Sequence, residues 1–238
     1  MGLGLGLLDF RGRSAGAPGP PPPLRLAKGT ANAWDQDFVP ALSIPNVSLA
    51  AGSTLVVFLS TMNCPVAGAT PIKWGTQTLT KIGEQAFAQG EGLLSCWMKD
   101  NVVGGTADLT KAAYGGGDGL GLAMWAVEIQ NVQNPSIDAR WLNAGAGTDP
   151  IVTATVPTAQ ANEILLAAVG DNGQAGQPLG AWGHGFAQGQ TDGTIAEWAS
   201  TAINEGYRVV DGIGTFTADD VGRGALDWAM ILLALKGN

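Results

Sequence analysis

From residue 33 onward the chain is a succession of short apolar or alternating segments of strand length. Residues 54–59 (Thr-Leu-Val-Val-Phe-Leu) form a continuous β-rich run, the pattern of a strand covered on both faces. Residues 93–98, 122–129, 163–169 and 226–235 read the same way, whereas 33–39, 78–82 and 150–156 alternate apolar with polar. Shorter segments at 72–74, 106–110, 195–202 and 207–210 complete the set, and 170–193 is a long loop with eight glycines. No segment carries a convincing amphipathic helical period. Strand-sized pieces separated by turn residues predict an all-β fold, an antiparallel β-sandwich of jelly-roll-like type. The last run, Trp-Ala-Met-Ile-Leu-Leu-Ala-Leu at 228–235, is apolar enough to predict a central strand.

Residues 1–28 do not fit this pattern. Gly and Leu alternate from Gly2 to Leu7, too briefly to build an element alone, and a Gly/Ala/Pro stretch ends in Pro20 to Pro23. Four consecutive prolines favour an extended segment without internal hydrogen bonds. The expected division is a Gly/Pro-rich arm at 1–28 and a sandwich domain at 29–238. Arg11, Arg13, Arg25 and Lys28 against Asp9 give the arm +3, while the remainder carries −11 of the net −8. A basic extended tail on an acidic body is a layout for docking on a neighbour of opposite sign. Leu5, Leu7, Phe10, Arg11, Arg13, Arg25 and Lys28 are therefore the candidate partner-binding residues. Four scattered cations make a weak nucleic-acid footprint, and the acidic body repels phosphate, so nucleic acid is not an expected partner. The apolar start has no preceding cation and is too short for a secretory signal. Gly2 lacks the Ser or Thr that a myristoylation site wants at Gly6, and no run reaches the length of a membrane span.

Thirty-six Gly and 13 Pro argue for many turns, and a charged share of 13% suits a surface partly buried against partners. Cys64 and Cys96 allow one disulfide at most, and Cys96, inside an apolar run, reads as a buried thiol. The single histidine, His184, lies between glycines and reads as an exposed loop residue. With Trp182 and Phe186 it marks a candidate ligand loop, where aromatic side chains can stack on sugars. No Gly-x-Ser-x-Gly elbow or phosphate-binding loop is present, and no carboxylate pair stands out, so no catalytic residue, metal ligand or cofactor is assigned. Asp211, Asp219 and Asp220 have the oxygen chemistry for Ca²⁺ but not an EF-hand spacing, and read as a solvated loop. Trp97, Trp125 and Trp228 are expected in the core. Trp34, Trp74, Trp141, Trp182 and Trp198 lie nearer strand ends or loops.

Several segments resemble the β-sandwich, jelly-roll-like structural domains of bacteriophage virion proteins. They are Leu55-Val56-Val57-Phe58, the hairpin Trp74-Gly75-Thr76-Gln77-Thr78-Leu79-Thr80-Lys81-Ile82-Gly83, Ser95-Cys96-Trp97-Met98, residues 163–169, and Asp227-Trp228-Ala229-Met230. The resemblance spans about residues 30 to 236 and rests on structural rather than catalytic positions. It implies a non-enzymatic virion component assembled in the host cytoplasm, such as a capsid decoration (cement) protein. Its partners would be the major capsid protein or other virion proteins, with further copies of itself in a homo-oligomer, and no membrane. The alternative is a carbohydrate- or receptor-binding module of a tail fibre, spike or bacterial surface protein, with a surface glycan as ligand.

Overall fold

Apolar runs that include β-branched and aromatic residues, broken by Gly, Asn and Pro, produce long strands and tight turns. The computed structural model describes residues 21–35, 38–39, 41–62, 70–90, 92–115, 120–147, 151–152, 156–172, 180–189, 202–221 and 227–238. The first half of the chain supplies β1 (Leu24–Asp35), β2 (Leu42–Leu49), β3 (Thr54–Met62), β4 (Ile72–Trp74), β5 (Thr80–Ala86), β6 (Gly92–Lys99), β7 (Gly105–Lys111) and β8 (Leu120–Gln130). The second half supplies β9 (Val132–Ala146), β10 (Glu163–Asp171), β11 (Ala202–Val210) and β12 (Asp227–Gly237), with several two- and three-residue strands between them. Every pairing among the described residues is antiparallel. Those residues contain no helix.

Two five-stranded sheets form the centre, in the orders β1-β8-β3-β6-β5 and β9-β12-β10-β11 followed by Ala187–Gln188. They pack face to face through Val56, Phe58, Leu94, Cys96, Trp125 and Val127 on one side and Ile164, Leu166, Ala168, Ile231 and Leu233 on the other. The inner strands β3 and β6 of the first sheet and β12 and β10 of the second are covered on both faces. The outer face of the first is covered by the smaller sheet of β2, β7, β4 and Gln77–Thr78, through Leu55, Val57, Leu59, Leu109 and Trp74. The outer face of the second is covered by the short strands Ile151–Val152, Val156–Pro157, Ala181–Trp182, Thr215–Phe216 and Asp219–Val221 and the segments beside them, through Leu165, Ala167, Phe186, Ala218 and Leu232. Both sets of neighbours bury consecutive residues, which is why β3, β10 and β12 are apolar without alternation.

The two halves repeat one topology. Across each large sheet the order is the half's first strand, its last strand, then β3 or β10, then β6 or β11, then the strand that precedes this last one in the chain. Traces of the repeat survive in sequence. Ala123-Met124 and Ala229-Met230 occupy the two last strands, with both alanines toward the central layer and both methionines outward. Trp74-Gly75 and Trp182-Gly183 open equivalent turns, whose glycine N–H groups donate to the carbonyls of Asp108 (3.0 Å) and Asp219 (3.2 Å).

The expected all-β antiparallel sandwich is present, and the final strand is internal as expected, between β9 and β10. β2 and the fifteen-residue β9 were not anticipated, because Pro45, Asn46, Pro135 and scattered polar residues interrupt their patterns. The arm was expected to end at Lys28, yet β1 begins at Leu24 and pairs with β8 over its whole length. The expected strand at 195–202 falls almost wholly outside the described residues, as do residues 1–20, Cys64 and Trp198. Phe58 is fully buried in the layer between the large sheets. Phe58→Ala should destabilise the protein by about 3–5 kcal/mol, read from the denaturant midpoint at unchanged m-value.

Candidate functional site

The best-defined polar constellation lies where the arm joins the body. On β1, Arg25 faces the central layer and reaches across to β11. Its guanidinium makes a two-point contact with Glu205, Nε donating to Oε1 at 2.9 Å and Nη2 to Oε2, and lies 4.8 Å from the centre of the Tyr207 ring. Glu205 is fully buried. Burial raises its carboxyl pKa, and the Arg25 contact opposes that rise. Lys28 is the extra residue of a β-bulge between Ala27 and Gly29, and Gly29 (φ +127°) accommodates the bend. The bulge brings Lys28 Nζ to 2.6 Å from Oε2 of Glu128, whose Oε1 accepts the Ala50 N–H at 2.6 Å. Burial alone would raise the Glu128 pKa, but the Lys28 and Ala50 hydrogen bonds outweigh it and hold the carboxyl below its ordinary range. Arg25 and Lys28, expected to face a partner, are thus both engaged within the chain. Leu5, Leu7, Phe10, Arg11 and Arg13 lie outside the described residues.

The chain end and the link between halves meet at the same place. Asn131 Nδ2 donates to the Pro22 carbonyl (3.0 Å), and Asn238 N–H donates to the Asn131 carbonyl (3.0 Å). A polar cleft of about 260 Å³ lies beside them, lined by residues 50–53, 130–132 and Asn238. The turn that leads into β10 corresponds to the Ala50–Ser53 turn of the first half, and a carboxylate again caps it: Ala159 N–H donates to Asp138 Oδ2 at 2.6 Å. Here the neighbouring group is a second acid. Glu163 is fully buried, and burial followed by the Asp138 charge pushes its pKa up to about 7, against weaker pulls from the Gln160 N–H and Lys236. The first half pairs this carboxylate with a lysine, and the second pairs it with a carboxyl group.

The candidate ligand loop is brought together in part. Trp182 and Phe186 are in tilted ring contact at 6.0 Å between centroids. Trp182 packs on Gly206, where a Cβ would stand 2.5 Å from the indole. Phe186 is buried rather than displayed. His184 is exposed as expected, with Nε2 3.5 Å from Asp219 Oδ2 and its carbonyl accepting from Arg208 Nη1 at 2.7 Å. Asp220 is buried while Asp211 is exposed, and no group of three potential metal ligands gathers among the described residues. Trp97, Trp125 and Trp228 are core residues as expected. Trp74 joins them, its indole N–H donating to the Val47 carbonyl at 2.9 Å. Cys96 is a free, buried thiol whose pKa is driven upward by burial, which leaves it inert. A second, largely apolar cleft of about 480 Å³ lies at the ends of β2, β4 and β7. There the buried Lys111 donates to Thr70 Oγ1 at 2.8 Å.

Glu128 and Glu205 were missed in the sequence, although each is an acid in an otherwise β-rich segment, a position that demands a cation. No family model and no curated protein matches the chain. Among solved structures it is similar to the major capsid protein P2 from bacteriophage PM2, at 11% identity and a TM-score of 0.27, over 90% of this chain and 97% of that one. A likeness at that TM-score does not establish a shared fold.

Removing Arg25 alone leaves Glu205 buried without its cation. Arg25→Met should therefore cost about 3–5 kcal/mol of unfolding free energy, and Arg25→Met with Glu205→Met should recover most of it. The Glu163 carboxyl binds a proton in the folded chain between its ordinary value near 4.5 and about 7, where the unfolded chain has released it. This group accordingly stabilises the fold most at low pH, and the contribution is lost as pH rises through about 7. Glu163→Gln should flatten the slope of melting temperature against pH between 5 and 8, and an unchanged slope would remove Glu163 as its source.

Proposed function

We propose that the chain is a non-enzymatic structural protein of a bacteriophage particle. Its most specific form is a capsid decoration protein that anchors, through residues ahead of Leu24, to the capsid or to neighbouring subunits. The observation that carries this reading is the fixed root of the arm. β1 is paired along its length, and Arg25 and Lys28 are tied to buried acids, so the segment ahead of Leu24 leaves from a rigid base. The cations earlier in the sequence, Arg11 and Arg13, have natural partners in copies of this acidic body. In each half the chain passes repeatedly between its large sheet and smaller sheets packed outside it, which supports a jelly-roll-like reading of both. The sequence resemblance to virion β-sandwich domains points the same way.

A second reading, a glycan-binding module, draws on the Trp182 and His184 surface beside Asp219. One comparison decides between them. Particles from the producing phage should retain the full-length protein through a density gradient and lose a variant lacking residues 1–20. That variant should keep the melting temperature of the full chain. Retention of the truncated protein, with glycan-array binding abolished by Trp182→Ala, would replace the first reading by the second.

A further inference from the structure

Glu205 and Glu128 are buried acids that each meet a cation, Arg25 and Lys28. Glu163, fully buried at the start of β10, is faced differently, because the stronger charge acting on it is the carboxyl of Asp138. Asp138 is, like Lys28, the extra residue of a β-bulge, here between Ile137 and Ala139 on β9. Both carboxyls converge on one turn. Ala159 N–H donates to Asp138 Oδ2 at 2.6 Å, and the next amide, Gln160 N–H, donates to Glu163 Oε1 at 3.3 Å. No N–H or O–H among the described residues donates to Glu163 Oε2, although that atom is buried. A carboxylate oxygen in that position is costly unless something neutralises it.

A proton does this with the groups already present. Protonated Glu163 turns Oε2 from an acceptor into a donor, and the Asp138 carboxylate lies within hydrogen-bonding reach to accept. Two carboxyls that meet away from water resist ionising together, so one proton serves the pair. The other groups around Glu163 do not replace it. Lys236, opposite on β12, acts on it more weakly than Asp138, and β11 presents Val210 at the facing position, followed by the exposed Asp211. The contact matters because the first part of β9 is poorly laddered, with no backbone pair between Val132 and Ile137. Side chains tie it down instead. Gln133 Nε2 donates to the Gly237 carbonyl at 3.0 Å, Ser136 Oγ donates to Asp100 Oδ1 at 2.6 Å, and Asp138 takes the Ala159 N–H.

We propose that Asp138 and Glu163 form a proton-operated clasp between the bulge of β9 and the turn ahead of β10, closed while the two carboxyls share a proton and loosened when both are ionised. Glu163 sits on an inner strand and cannot reach water, whereas Asp138 is half-buried on the edge strand, so Asp138 is the partner that moves away. Its departure breaks the Ala159 hydrogen bond. The turn stays attached on either side, through Thr158 N–H to the Gly214 carbonyl at 2.9 Å and Gly237 N–H to the Asn162 carbonyl at 2.8 Å. The change is therefore local to residues 159–160 and to the start of β9. The folded-state pKa of Glu163 is raised to about 7, so the clasp is closed at low pH and opens as pH rises through that value.

The test is amide hydrogen exchange on the full chain from pH 5 to 8, with each rate divided by its unstructured value at the same pH. Protection at Ala159 and Gln160 should fall roughly tenfold or more between pH 6 and 8, while Ala168, in the middle of β10, keeps its own. Constant protection at Ala159 would overturn the proposal, and so would an equal loss at Ala168, which marks global rather than local opening. Glu163→Gln puts a permanent N–H donor beside Asp138 and should hold Ala159 protected across the whole range. Asp138→Asn removes the like charge and should move the midpoint of Glu163 ionisation, followed by its side-chain carboxyl ¹³C shift, down by roughly one pH unit or more. An unmoved midpoint in that variant would overturn the pairing of the two carboxyls.

Discussion

The inner strands of both large sheets lack a solvent face, and much of the structure follows from that. Such a strand can use neither side for polar residues, so β3, β10 and the buried part of β12 are nearly continuous in Val, Leu, Ile and Ala. The few polar groups that enter must be satisfied locally. Thr61 and Ser95 donate to the carbonyls of Leu93 and Leu59, and Trp97 Nε1 donates to Ser95 at 3.0 Å. The central layer is shared between halves that repeat one topology, so each half covers the face that would otherwise make the other insoluble. This also accounts for a charged share of only 13%: much of the chain has no surface on which to carry charge.

Within that frame an acid in a strand is expensive, and its partner fixes the architecture around it. Glu205 and Glu128 both take cations from β1, one on each face of the first sheet. Lys28, the extra residue of the bulge, makes the second of these pairings. β1 is consequently held by its hydrogen-bond ladder, by a bridge between the two large sheets, and by a clamp on the Ala50 turn. In the second half the turn is capped by Asp138, from the first strand of that half rather than the last, and Glu163 beside it feels Lys236 only weakly.

The sequence made the fold class legible because strands buried on two sides announce themselves as uninterrupted apolar runs. β9 stayed hidden for the opposite reason. As an edge strand with bulges at its start, it carries Gln133, Asn134, Asp138 and Asn143 without a clean period. The repeat was hidden too, since corresponding positions share burial more than identity and only Ala-Met and Trp-Gly survive. Arg25 and Lys28 read in the sequence as cations of the arm, whereas the structure places both on β1 beside buried acids. What distinguishes them from Arg11 and Arg13 is distance along the chain to an acid in a β-rich run, Glu205 and Glu128, and no local pattern encodes that.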